Sequence, residues 1–216
     1  MKNIITVIPA RLNSKRVKHK MLLPFNNKPL IRNVFDKVID MGLKTFVITD
    51  SDLISRHIPQ GHCMITGSAE NGTHRISNAL QFLSSCDYVL NIQGDMLDIN
   101  YDTIEPIIKE INNNNHDCIT AYTLGAKEDD VKVIHQNGKA MWFTRSNIGY
   151  GDRHLGIYAY KPEVLKQYET IKDKYNKENL EQNRILGYFN INVIQTKYEG
   201  KEINTKADID SWSVQS

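Results

Sequence analysis

Apolar positions change period several times along the chain, and each change marks an element. Residues 4–10, Ile-Ile-Thr-Val-Ile-Pro-Ala, form a short apolar block that predicts a buried strand. Behind Pro29, the residues Leu30, Val34, Val38 and Met41 recur at helical spacing, and Gly42 stands where a C-cap belongs. Thr45 to Thr49 reads as a second buried strand, so the opening is a βαβ unit. Such a unit requires a parallel pair and a right-handed crossover, which puts the loop after the first strand at the carboxyl edge of the sheet. Asp50 to Gly61 holds a short helical piece stopped by Pro59, and Cys63 to Ile65 is a weak strand candidate. Thr73 is the expected cap of a helix with Ile76, Ala79, Leu80 and Leu83 on one face, and Tyr88 to Ile92 is the next strand. A helix from about Thr103 to Ile111 is expected to carry Pro106 in its first turn and to end at the Asn112 to Asn115 run.

From Cys118 the pattern turns to alternation. Ile119, Ala121 and Thr123 alternate with Thr120, Tyr122 and Leu124, and Val131 to His135 and Ala140 to Thr144 flank an Asn137-Gly138 turn, a strong hairpin signal. Leu155 to Tyr160 and Asn190 to Gln195 read as strands. Helices are expected near Pro162 to Tyr168, Asn179 to Leu186 and Lys206 to Trp212. The fold class is therefore α/β: a mixed, mostly parallel sheet flanked by helices, with a small antiparallel portion in the second half. No internal repeat or long linker interrupts it, and one domain over residues 1–216 is expected.

Composition excludes several classes. With 40% hydrophobic and 24% charged residues the chain can build a real core, and no apolar run approaches the roughly 20 residues of a membrane span. The apolar block at 4–10 is too short for a signal peptide, so the cytoplasm is the expected location. Cys63, Cys86 and Cys118 are far apart and read as core residues rather than a disulfide or zinc framework. A net charge of +2 does not point to nucleic acid, and the cations lack an aromatic platform for bases.

Positive charge matters where it is concentrated. The loop after the first strand carries Arg11, Lys15, Arg16, Lys18 and Lys20 interleaved with Asn13 and Ser14, the mixture of cations and small residues that a polyphosphate needs. Taken alone, such a loop is more often a solvated turn. Beyond the Tyr88 to Ile92 strand come Gln93, Gly94 and Asp95. A carboxylate behind a glycine at a strand end offers a hard oxygen to magnesium, although the same pair also suits an ordinary turn.

Together these pieces resemble the sugar nucleotidyltransferases, and within them the 3-deoxy-manno-octulosonate (Kdo) cytidylyltransferase family. The resemblance rests on Pro9-Ala10-Arg11 with Ser14, Arg16 and Lys20, and on Gly72-Thr73-His74-Arg75, Asn91-Ile92-Gln93-Gly94-Asp95, Phe143-Thr144-Arg145, Arg153-His154-Leu155-Gly156-Ile157-Tyr158 and Leu180-Glu181-Gln182 in that order. It implies a Rossmann-like nucleotidyltransferase fold and transfer of CMP from CTP to a sugar acid. On that basis Ala10, Arg11, Ser14, Arg16, Lys20, Thr73 and Arg75 would serve the nucleotide. Gln93, His154, Tyr158, Glu181 and Gln182 would serve the sugar acid, and Arg11, Arg16, Lys20 and Asp95 the chemistry. Tyr158, inside an apolar strand, also reads as core, and Glu181 also reads as a first-turn carboxylate on a helix dipole.

The implied cofactor is Mg2+, held by Asp95 with Asn204 as second ligand. Here the chain departs from the family, which has Asp where Asn204 stands; Asp208, one helical turn on, is the alternative carboxylate. Met96 and Leu97 replace the usual Glu-Pro, and the segment between Arg145 and Arg153 is shorter than in relatives, where it contributes near the sugar site and to the contact of a homodimer. Three readings remain open: a Kdo enzyme, an enzyme for 8-amino-Kdo or a nonulosonic acid, and a nucleotide- or sugar-binding relative without turnover.

Overall fold

The computed structural model describes residues 1–14, 17–83, 85–172, 178–198, 200 and 208. It opens with β1 (Ile4–Ala10), whose apolar residues divide between two faces: Ile5 and Val7 join one core cluster, Ile8 and Ala10 the other. The helix α1 (Leu30–Asp40) follows a small hairpin, β2 (Pro24–Phe25) and β3 (Lys28–Pro29), which sequence reading did not anticipate. Asn26 and Asn27 make its turn with φ of 46° and 61°, a conformation that asparagine tolerates better than most residues. β4 (Thr45–Thr49) pairs parallel with β1 in the register Thr6 to Thr45, as the βαβ pattern requires. A short helix α2 (Asp52–Ser55) leads to β5 (Cys63–Ile65), parallel to β4.

Helix α3 (Gly72–Ala79) begins one residue earlier than its expected cap. Asn71 caps it, its side chain accepting from the His74 amide at 2.8 Å, whereas Thr73 lies inside the first turn. β6 (Tyr88–Asn91) pairs parallel with the other edge of β1. The helix α4 (Tyr101–Asn113) also starts early because the Asn100 side chain accepts from the Thr103 amide at 3.0 Å; Pro106 consequently sits in the second turn instead of the first.

The second half adds β7 (Cys118–Thr123), the hairpin β8 (Lys132–Gln136) and β9 (Lys139–Thr144), the long β10 (Asp152–Tyr160), helices α5 (Pro162–Gln167) and α6 (Glu181–Leu186), and β11 (Ile191–Gln195). The helix expected from Asn179 starts at Glu181, and the one expected over residues 206–212 lies outside the described residues except Asp208. Asn137 and Gly138 take φ of 51° and 73° at the predicted turn. Nine strands form one sheet in the order β5-β4-β1-β6-β10-β7-β11-β9-β8, and a further β8 to β10 pairing makes β10, β7, β11, β9 and β8 a ring of neighbours. Helices α1 and α4 pack through Val34, Ile104 and Ile107 on one face, and α3, α5 and α6 through Ile76, Leu165 and Ile185 on the other. Among the described residues no helix is long and apolar enough to cross a membrane. All three cysteines are free thiols, Cys118 buried and the others half-buried.

This topology decides where ligands can bind. β1, β4 and β6 run parallel, so Arg11, Asp50 and Gln93 follow their carboxyl ends on one edge. β10 runs antiparallel between β6 and β7, which brings the beginning of that strand, not its end, to the same edge.

Candidate active site

A cleft of about 1320 Å³ opens along that edge. On the side of the parallel strands it is lined by Ala10 at the end of β1, Arg11, Ser14 and Lys20 from the loop that follows, Arg75 from α3, and Gln93 and Asp95 beyond β6. From the other half come His154 and Tyr158 on β10 and Glu181 and Gln182 on α6. Residues named from sequence blocks as much as 170 positions apart thus share one cavity. Arg16 and Asn204 lie outside the described residues; Asp208 lines the cleft.

Lys20 belongs to a 3-10 turn, Lys20–Leu22, entered through His19 at φ 53°. Its ammonium pairs with the Asp95 carboxylate. Gly94 lies under close-packed side chains, since a Cβ on it would come within 3.0 Å of Met21 Sδ and 3.1 Å of Ile31 Cδ1. The turn carrying Lys20 is therefore seated directly on the loop carrying Asp95.

Arg75 is buried and ion-paired to Asp50 at 2.8 Å; its other nitrogen donates to Thr66 Oγ1 at 3.3 Å and Gly67 O at 3.4 Å. The second oxygen of Asp50 accepts from the Leu12 amide at 3.3 Å. Asp50 thus ties the basic loop to α3, a role that sequence reading missed. The signal was available, since Asp50 follows β4 as Asp95 follows β6.

Thr73 stands behind the cleft wall, fully buried. Its hydroxyl is 3.1 Å from Tyr160 OH, and its amide donates to Glu181 Oε2 at 3.2 Å. Glu181 therefore bridges α3 and α6. Burial raises its carboxyl above the ordinary value of 4.5, opposed by the Thr73 donors and the Arg11 cation.

The opposite wall is shaped by a bulge in β10. Leu155 pairs with Ala121 and Tyr158 with Thr120, so Gly156 and Ile157 are extra. The Thr120 hydroxyl stabilises the bulge by donating to Ile157 O at 2.8 Å. Its oxygen accordingly accepts from His154 Nε2–H at 2.9 Å, which leaves Nδ1 of that ring as an acceptor. Burial, reinforced by the Arg145 cation, pushes His154 from 6.5 down to about 3, so the ring is neutral at physiological pH. Phe143 meets it edge-on at 5.0 Å and Tyr158 lies 5.3 Å away. Gly156 admits Gln93, whose Nε2 donates to Gly156 O at 3.1 Å; a Cβ at 156 would fall 2.8 Å from Gln93 Cγ.

No group of three or more His, Cys, Asp or Glu able to hold a metal exists among the described residues. The donor chemistry nevertheless suits Mg2+ shared with a ligand: Asp95 and Asp208 offer hard oxygens to the same cleft, and phosphate oxygens and water can complete the shell.

Known proteins complete the picture. The chain is 32% identical to a protein named 3-deoxy-manno-octulosonate cytidylyltransferase from Acaryochloris marina, over 96% of this chain and 94% of that one. A solved CMP:2-keto-3-deoxy-manno-octonic acid synthetase complexed with CTP is 25% identical and superposes with a TM-score of 0.89 over 99% and 98% of the two chains. An inositol-1-phosphate CTP transferase from T. maritima, 11% identical with a TM-score of 0.77 over 100% and 96%, shares the fold. Residues 5–196 match the cytidylyltransferase family pattern, and the chain, a nucleotidyltransferase by fold and by sequence, belongs to that family.

Proposed function

We propose that the protein transfers CMP from CTP to the anomeric hydroxyl of a 2-keto-3-deoxy sugar acid, Kdo first among them, with release of pyrophosphate. The observation that carries this reading is the one cleft in which the cationic loop after β1 faces the hydrogen-bonding and charged groups of β10 and α6. It is supported by the relatives named for the same reaction at 32% identity.

In the reaction a bond forms between the sugar hydroxyl oxygen and the α-phosphorus, the bond to the β-phosphate oxygen breaks, and the hydroxyl proton is lost. Arg11 and Lys20, with Arg16 in the same loop, draw the phosphates into position and neutralise the charge that grows on pyrophosphate. Glu181, His154 and Tyr158 orient the sugar so that its hydroxyl faces phosphorus, which removes most of the entropy of the encounter. Magnesium, held by Asp95 with Asp208 or Asn204, would supply charge neutralisation at the phosphate oxygens and acidify the attacking hydroxyl. Both substrates are water-soluble anions, and we place the enzyme in the cytoplasm.

Of residues 145–151 only Arg145 lines the cleft; Asn147, Gly149 and Tyr150 line a separate cavity of about 490 Å³. The short segment therefore supplies little of the cleft lining, and the choice among sugar acids rests on β10, α6 and the segment that brings Asp129 and Asp130 to the cleft. Pyrophosphate release from CTP and Mg2+ should be measured with Kdo, 8-amino-Kdo and N-acetylneuraminate. Turnover with Kdo is the expected result. Turnover confined to another acid would change the substrate, and CTP binding without any turnover would overturn the enzymatic reading.

A further inference from the structure

The Lys20 to Asp95 pair joins two groups that the reaction uses separately. Lys20 is a cation for phosphate, and Asp95 is an oxygen ligand for a divalent ion. In the protein alone each occupies the other. The Lys20 side chain is 8% exposed and that of Asp95 16%, so the ammonium is largely out of water and depends on the carboxylate as its counter-charge. Nothing about the pair is incidental to the backbone. A left-handed residue, His19 at φ 53°, turns the chain inward immediately before Lys20, and the close seating of Met21 against Gly94 holds the two loops together.

We infer that the Lys20 ammonium is a place-holder for the divalent cation, and that binding of the metal transfers Lys20 from Asp95 to the incoming phosphates. The inference rests on the reading of the cleft given above. A divalent ion and an ammonium repel each other on the same carboxylate, so metal entry expels Lys20. When metal arrives alone, the expelled ammonium has lost its counter-charge and the site binds weakly. When metal arrives with a triphosphate, the ammonium gains new anionic partners within reach of its flexible four-carbon stem. Metal and nucleotide each strengthen the other's binding, as linkage demands. Lys20 is thus a positioning residue for the metal as well as a phosphate contact.

The first readout uses Mn2+ as probe, without nucleotide or sugar. Binding is followed by the loss of the free-ion electron paramagnetic resonance signal in the unaltered protein and in Lys20→Met and Lys20→Gln. Both variants should bind Mn2+ about 10-fold or more tightly than the unaltered protein, and Asp95→Asn added to either should abolish the gain. Equal or weaker Mn2+ binding in the variants overturns the exchange. In the unaltered protein, acetylation of Lys20 by an amine-reactive reagent, read by peptide mass spectrometry, should rise with Mn2+ alone and fall again when CTP is added. Labelling indifferent to Mn2+ overturns the inference without reliance on any variant. Neither readout involves turnover, so tighter Mn2+ binding in the variants together with no pyrophosphate release by the unaltered protein would uphold the exchange while overturning the assigned reaction.

Discussion

The two walls of the cleft are built on different principles. On the side of the parallel strands, charge is held by charge: Lys20 by Asp95 and Arg75 by Asp50. On the side of β10 and α6, the charged Arg153, Glu181 and Arg184 share the wall with groups held by hydrogen bonds: the neutral His154 by Thr120, and the Gly156 carbonyl, which accepts from Gln93 reaching across from the β6 side. Each wall suits the ligand proposed for it. A triphosphate needs cations, and paired cations can be kept at a half-dry surface until it arrives. A polyhydroxylated acid needs donors and acceptors of fixed direction, which a neutral imidazole and an amide provide.

Four substitutions would break or sharpen this contrast. Asp95→Asn should have the largest effect, a loss of about 100-fold or more in kcat with CTP and Mg2+, in the range of removing one electrostatic contact in a transition state. Retained turnover would remove Asp95 from the chemistry. Asp50→Ala leaves the buried Arg75 guanidinium without its carboxylate. Urea unfolding should register a loss of about 3 kcal/mol, the low end for breaking such a pair because Asp50 is partly exposed, together with a higher KM for CTP and an unchanged KM for the sugar. A rise in both KM values would show that the walls are not independent.

The third concerns pH. His154 is held at about 3 in the folded chain against 6.5 when free, so below 6.5 the unfolded chain binds the extra proton. The stability contributed by the neutral His154 is therefore present above 6.5 and is lost as pH falls toward 3. Between about pH 7 and pH 5 this amounts to about 2 kcal/mol, and His154→Gln should flatten that limb of the profile by the same amount. An unaltered limb would mean that the imidazole is accessible to protons. Gly156→Ala should have the smallest effect. It displaces Gln93 and breaks one hydrogen bond of about 1 kcal/mol, raising KM for the sugar acid roughly fivefold and leaving that for CTP unchanged.

The same contrast governs what could be read in the sequence. Buried parallel strands are continuous apolar runs, so β1 and β4 were legible to the residue, and the loop after β1 advertised its cations as the one after β6 did its carboxylate. Caps were less legible. Asn71 and Asn100 displaced the expected helix starts because polar side chains upstream of the apolar pattern carry no periodicity. The β10 bulge was invisible, since it depends on the register of a strand some 35 residues away, and with it the tautomer of His154. Glu181 was recognised through family likeness, but its bond to the Thr73 amide, spanning 108 residues, has no local signature.

The position of β10 also constrains the order in which the molecule can assemble. It enters between β6 and β7, so both of those strands keep an open edge until residue 160 is available. During synthesis the first two-thirds of the chain can form its βαβ core but presents β6 as an unfinished edge, the kind of surface on which chains add to one another. Truncated forms ending before Asp152 should accumulate as aggregates, and complete chains should refold slowly, because the closing step brings together segments distant along the chain.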